Sequence, residues 1–173
     1  MDLSKAFDVI DHDLLLAKLK AYGVEERSFV LFKDYLSGRQ QRVKMGDTFS
    51  SWKGVIKGVP QGGVLGPVSF NIFIKNLFYW LTQCKLHAYT DDHQLYPSNV
   101  DPQALEDCIC REVRVANEWY RSNRMIVNET KHQAIVLGRT GHSFSFPLKD
   151  SLDIFGINID NRLCFDNYII NFL

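Results

Sequence analysis

Residues 86–96, LHAYTDDHQLY, run from an apolar segment through two adjacent carboxylates into a second, partly apolar segment. Asp91 and Asp92 therefore fall at the tip of an expected β-hairpin. Adjacent aspartates are poor strand formers and repel each other, a local conflict that a divalent cation would relieve. Asp-Asp at a hairpin turn is also ordinary turn chemistry, so the dipeptide alone leaves both readings open. Strand neighbours point to opposite faces, and only the bend of a tip lets both carboxylates approach one site. Asp91 accordingly ranks above Asp92.

Upstream, residues 11–23 (DHDLLLAKLKAYG) read as a helix with aspartates in its first turn and Gly23 as its stop. A second helix spans Glu25 to Leu36, with Phe29, Val30, Phe32 and Leu36 on one broad face and Gly38 at its end. The next two runs, RQQRVKMG and TFSSWKGVIKG, read as strands joined at Gly46-Asp47 and lined with basic side chains. Pro67 suits the first residue of a long buried helix carrying Phe70, Ile72, Phe73, Ile74, Leu77, Phe78 and Leu81. Beyond the central hairpin come a helix over Gln103 to Ser122, strands at Gln133 to Leu137 and Leu152 to Ile159, and a turn at Asp160-Asn161. This order predicts an α+β fold, an antiparallel sheet with helices packed on one face.

The chain has 173 residues, 46% of them hydrophobic, which suits one core and one domain over 1–173. No apolar run reaches the roughly 18 residues that cross a bilayer, and the longest apolar stretch is interrupted by Asn71, Lys75 and Asn76. Twenty basic and twenty acidic residues leave no net charge, unlike a strongly basic, autonomous nucleic-acid binder. Cys84, Cys108, Cys110 and Cys164 form no CxxC pair and are expected to be reduced and mostly buried. The five histidines show no metal-ligand spacing.

Two more segments add weight to the metal reading: DLSKAFD, containing Asp2, and GVPQGGVLGP, Gly58 to Pro67. With YTDD, in this order, they resemble the reverse transcriptases of non-long-terminal-repeat retrotransposons of the LINE type, related to jockey and CR1. DLSKAFDVIDHDLL, GVPQGGVLGPVSFNIFI, LHAYTDDHQLY, the stretch from Trp119 to Lys131 and LDIFGINIDNRLCFD fall where that family has motifs A to E. The resemblance implies a polymerase palm with part of the fingers, lacking the N-terminal part of the fingers, the thumb and the endonuclease.

It also implies RNA-directed DNA synthesis with two Mg2+ ions, for which Mn2+ substitutes. Asp2 and Asp91 would be the principal ligands, with Asp92 supporting them and the Leu3 carbonyl adding a donor. Phe7 would stand as the steric gate against the ribose 2′-hydroxyl, although a core phenylalanine would read the same way. Gln61 and Gly62 would meet the incoming nucleotide and its template pair, with Tyr89 among the substrate-binding residues. Lys131 would protonate or stabilise departing pyrophosphate, against the alternative of a solvated surface lysine. Arg39, Arg42, Lys44, Lys53 and Lys57 are candidate phosphate contacts, or simply solvating charges.

The implied partners are an RNA template, a DNA primer and deoxynucleoside triphosphates, with no membrane, and with the missing fingers and thumb segments supplied elsewhere. The implied localisation is intracellular, in nucleus and cytoplasm. The family usually carries alanine at Thr90, serine at Gly63 and Asn-Asp at Lys75-Asn76. Asp2 as second residue predicts a poorly tethered terminus. These departures keep open a second reading, a catalytically inactive remnant that binds nucleic acid weakly at best. A third, a nucleotide cyclase on a similar palm, is disfavoured by GVPQG.

Overall fold

The computed structural model describes residues 1, 3, 5–60, 62–138 and 140–164. Asp11 caps the first helix, α1 (His12–Ala21), by accepting from the Leu14 amide at 3.1 Å. Gly23, at φ 75°, turns the chain out of it. The second helix, α2 (Glu26–Leu36), buries Phe29, Phe32 and Leu36. Val30 does not share that face and is 45% exposed, because it sits about 100° round the helix from Phe29.

The expected basic hairpin is present as two short ladders. Strands β1 (Gln40–Gln41) and β4 (Lys53–Gly54) pair at its base, and β2 (Lys44–Met45) and β3 (Thr48–Phe49) pair at its tip, closed by Gly46-Asp47. The Ser50 hydroxyl accepts from the Val43 amide between them, interrupting the ladder. All eight strand residues are exposed.

The long helix expected from Pro67 starts two residues earlier and is broken in two, as α3 (Leu65–Ile74) and α4 (Leu77–Trp80). Lys18 from α1 reaches the break, donating to the Phe73 carbonyl at 2.5 Å and to Asn76 Oδ1 at 2.9 Å. Its ammonium also lies 4.2 Å from the Phe73 ring centre and 4.6 Å from that of Trp119.

The central hairpin pairs β5 (Lys85–Tyr89) with β6 (Asp92–Tyr96). Helix α5 (Pro102–Ser122) begins with an Asp101 cap and packs against α4 and β6, burying Ala116, Trp119 and Tyr120. Residues 133–137 form no strand, contrary to expectation; the Ala134 carbonyl instead accepts from the Lys149 amide. The single strand expected over Leu152 to Ile159 is a hairpin, β7 (Ser151–Ile154) and β8 (Ile157–Asp160). It turns at Phe155-Gly156, both at positive φ, as a two-residue turn of this hand requires. The turn at Asp160-Asn161 is present, with Asp160 Oδ1 accepting from the Arg162 amide. The last two residues of the motif E stretch, Phe165 and Asp166, lie outside the described residues.

The result is a mixed α/β fold, with helices around small antiparallel ladders and one core running from Leu3 and Ile10 through Phe70 and Phe73 to Trp119 and Tyr120. Cys84 and Cys108 are half-buried, while Cys110 and Cys164 are exposed, so burial of the thiols is only partial. Among the described residues no helix is long and apolar enough to cross a membrane.

Candidate active site

The hairpin tip is a two-residue turn, Thr90-Asp91, closed by the Tyr89–Asp92 pair. Thr90 has φ 52°, in the left-handed region that β-branched residues rarely enter. Its hydroxyl donates to Asp91 Oδ1 at 2.8 Å, and its carbonyl accepts from His93 Nε2 at 3.2 Å. Asp91 is half-buried and Asp92 exposed. Among the described residues no lysine or arginine forms an ion pair with either. Two adjacent hard-oxygen donors suit a magnesium-like cation. Among the described residues, however, no group of three or more His, Cys, Asp or Glu side chains converges as a complete site. The expected third carboxylate, Asp2, lies outside the described residues, as does Gln61.

Met1 and Leu3 are both tied down, in contrast to the expected loose terminus. Met1 exchanges hydrogen bonds with His93, its nitrogen donating to the His93 carbonyl at 2.6 Å and its carbonyl accepting from the His93 amide at 3.1 Å. Leu3 is 2% exposed and pairs antiparallel with Val127. The opening segment thus joins the YTDD hairpin to the stretch following α5. Lys131 closes a short 3-10 turn, Glu129–Lys131, four residues beyond Val127, with its side chain exposed.

The first segment is also laced to the glycine-rich one. Asp11 pairs with Lys57, the Gly58 amide donates to the Ile10 carbonyl at 2.7 Å, and the Val59 amide donates to the Phe7 carbonyl at 2.9 Å. His12 Nε2 donates to the Gly58 carbonyl at 2.7 Å. This approach requires glycine at 58, where φ is +81° and a Cβ would lie 2.7 Å from the Asp8 carbonyl oxygen. A Cβ at Gly66 would lie 2.8 Å from the Pro60 oxygen. Gly62, at φ +83°, faces open space. Phe7 is half-buried, its ring 4.8 Å from that of Phe70 on α3.

Asp11 is a structural acid. Burial pushes its carboxyl upward, but the Leu14 amide and the Arg124 guanidinium, 2.5 Å away, outweigh that and hold it below the usual range. An open cavity of about 370 Å3, lined by Asn71, Ile74, Lys75, Phe78, Tyr79 and Ala88, includes neither carboxylate of the tip.

Three residues at the tip escaped sequence reasoning. Phe155, at the turn of β7–β8, sets its ring edge-on to Tyr89 at 5.1 Å and to His87 at 5.9 Å, bringing the last segment onto the hairpin. His93 and Tyr120 are fully buried and hydrogen-bonded to each other behind the tip. For His93 a signal existed: it alternates with Leu95, on the strand face that meets the core.

Comparison with known proteins identifies the family. Residues 1–159 match the family model described as reverse transcriptase (RNA-dependent DNA polymerase). The chain is similar to the RNA-directed DNA polymerase from mobile element jockey of Drosophila melanogaster, 24% identical over 99% of this chain and 20% of the relative. It is also similar to the probable RNA-directed DNA polymerase from transposon X-element of the same fly, 26% identical over 98% of this chain and 20% of that protein. The probable RNA-directed DNA polymerase from transposon BS is 35% identical over 57% of this chain and 12% of that protein. The chain therefore spans about a fifth or less of the length of these curated relatives. It belongs to the reverse transcriptase (RNA-dependent DNA polymerase) family, in its jockey-like, non-long-terminal-repeat branch.

Proposed function

We propose that residues 1–173 are the palm and partial fingers of an RNA-directed DNA polymerase, extending a DNA primer on an RNA template in nucleus and cytoplasm. The observation that carries this reading is the meeting of five segments far apart in sequence. Residues 1–11 meet 57–59, 93 and 127, and Phe155 meets Tyr89.

In this reading Asp91, Asp92 and Asp2, with the Leu3 carbonyl, would hold two divalent ions, Mg2+ in the cell. Such ions would supply activation of the primer 3′-hydroxyl and charge balance on the leaving pyrophosphate. Phe7, braced on Phe70, excludes a ribose 2′-hydroxyl. Gln61 contacts the incoming nucleotide, open space at Gly62 admits the base pair, and exposed Tyr89 borders the primer. Lys131 supplies a proton or a positive charge to pyrophosphate. The basic hairpin, β1 to β4, carries five basic side chains from Arg39 to Lys57 against one acid, Asp47, and contacts template phosphates.

The test is primer extension on an RNA template with Mg2+ and deoxynucleotides, comparing the chain with Asp91→Ala after checking that both unfold cooperatively. We expect extension to fall at least about a hundredfold in the variant, the scale of losing a principal charge-stabilising group. Equal extension in both would refute the assignment of Asp91. A second reading, a folded but inactive remnant, draws support from Thr90, whose strained backbone and bond to Asp91 Oδ1 occupy the tip. No extension from a folded wild-type chain supplied with fingers and thumb would establish it.

A further inference from the structure

His93 is 1% exposed and bonded on every side. Its backbone exchanges both hydrogen bonds with Met1, while its ring reaches the Thr90 carbonyl through Nε2 and the Tyr120 hydroxyl through Nδ1. A carbonyl oxygen only accepts, so Nε2 carries the proton. A ring with its single proton on Nε2 leaves Nδ1 as an acceptor facing the Tyr120 hydroxyl. Burial pushes the Tyr120 phenol up, so it keeps its proton and donates. The direction of the chain is therefore fixed: the Tyr120 hydroxyl donates to His93, and His93 donates to Thr90.

The residue at the end of this chain is the one whose backbone is least comfortable. A β-branched residue at φ 52° costs about 1–3 kcal/mol and persists only where its surroundings over-determine it. Tyr120 is fully buried on α5 beside Trp119, their ring centres 5.4 Å apart. It provides a rigid anchor for a turn that is otherwise partly in solvent.

We propose that His93 is a positioning residue for the carboxylates of the tip: with Tyr120 it clamps the Thr90 carbonyl, holding the turn in the left-handed form that presents Asp91 and Asp92. This rests on the metal-binding reading above. His93 itself touches no substrate; it acts through the turn. The clamp also explains how a threonine is tolerated where the backbone favours glycine.

The experiment uses the whole chain as wild type, His93→Phe, Tyr120→Phe, Thr90→Gly/His93→Phe and Asp91→Ala. Tyr120→Phe removes only a hydroxyl, and so serves if His93→Phe fails to fold. Amide exchange at Tyr89 and Asp92, the pair closing the turn, should accelerate about tenfold in either clamp variant while α1 and α3 stay protected, the scale of one buried hydrogen bond. Mn2+ binding, read by water-proton relaxation, should weaken by about the same factor and recover most of the loss when Thr90→Gly removes the backbone strain. Exchange within twofold of wild type would overturn the clamp. Faster exchange with unchanged Mn2+ binding, or no recovery with Thr90→Gly, would overturn its positioning role. Equal Mn2+ binding by wild type and Asp91→Ala would sink the metal reading and the positioning role with it, while exchange still reported on the clamp.

Discussion

Four glycines of GVPQGGVLGP look interchangeable in sequence and are not. Gly58 is held against the Asp8 backbone and Gly66 against the Pro60 carbonyl, whereas Gly62 faces open space and a Cβ at Gly63 would meet only the Tyr35 hydroxyl at 3.8 Å. Gly58→Ala should therefore destabilise the fold by about 2–4 kcal/mol, combining a backbone clash with a strained φ. Gly63→Ser should change stability by no more than about 0.5 kcal/mol. Urea unfolding of the two variants separates these outcomes, and equal effects would contradict the packing described. By resemblance the sequence marked this run as one that meets an incoming nucleotide and its template pair. It could not say which glycine met backbone and which met open space, because that depends on Asp8, some fifty positions away. The same applies to Thr90: nothing local announces a left-handed threonine, since the bond sustaining it comes from a histidine anchored on another element.

At the level of elements, the capped helices were legible and the interruptions were not. Asp11, read as a first-turn aspartate, caps α1, and Asp101 caps α5. The break between α3 and α4 is instead associated with Lys18, which lies more than fifty residues upstream and captures the Phe73 carbonyl and Asn76. The turn dividing β7 from β8 carries no Asn-Gly or Asp-Gly signal, only Phe155-Gly156. Lys18 makes the break titratable: burial lowers its pKa from 10.5 to about 8. Between those values the unfolded chain binds more protons than the folded one, so stability should rise as pH goes from about 8 to 10.5. Lys18→Met should remove that rise, which urea midpoints measured across this range would show. A slope unchanged by the substitution would mean that Lys18 is not its source.

For the molecule as a whole, zero net charge conceals an uneven distribution. The β1–β4 hairpin gathers basic groups on strands exposed on both faces, and Arg42 lies 3.9 Å from the Phe49 ring centre and 4.5 Å from that of Trp52. Arginine stacked among exposed aromatics suits single-stranded nucleic acid. Arg42→Ala/Lys44→Ala should weaken binding to single-stranded RNA and lower the slope of log affinity against log salt by about 1 to 1.5. Fluorescence titration at several salt concentrations would check this, and an unchanged slope would remove the hairpin from the template path. Composition, averaged over the chain, had argued against nucleic-acid contact; locating the charges reverses that argument for this region.

Met1 and His93 are bonded across 92 residues, and Leu3 and Val127 across a longer span. Such closures pay a large loop entropy before any contact repays it, which places them late in folding. On a ribosome, Met1 would wait until the YTDD hairpin had emerged, and Leu3 until all of α5 had. A chain interrupted between residues 96 and 127 could carry the YTDD hairpin intact and bond it to Met1, yet would still lack the partner that holds Leu3.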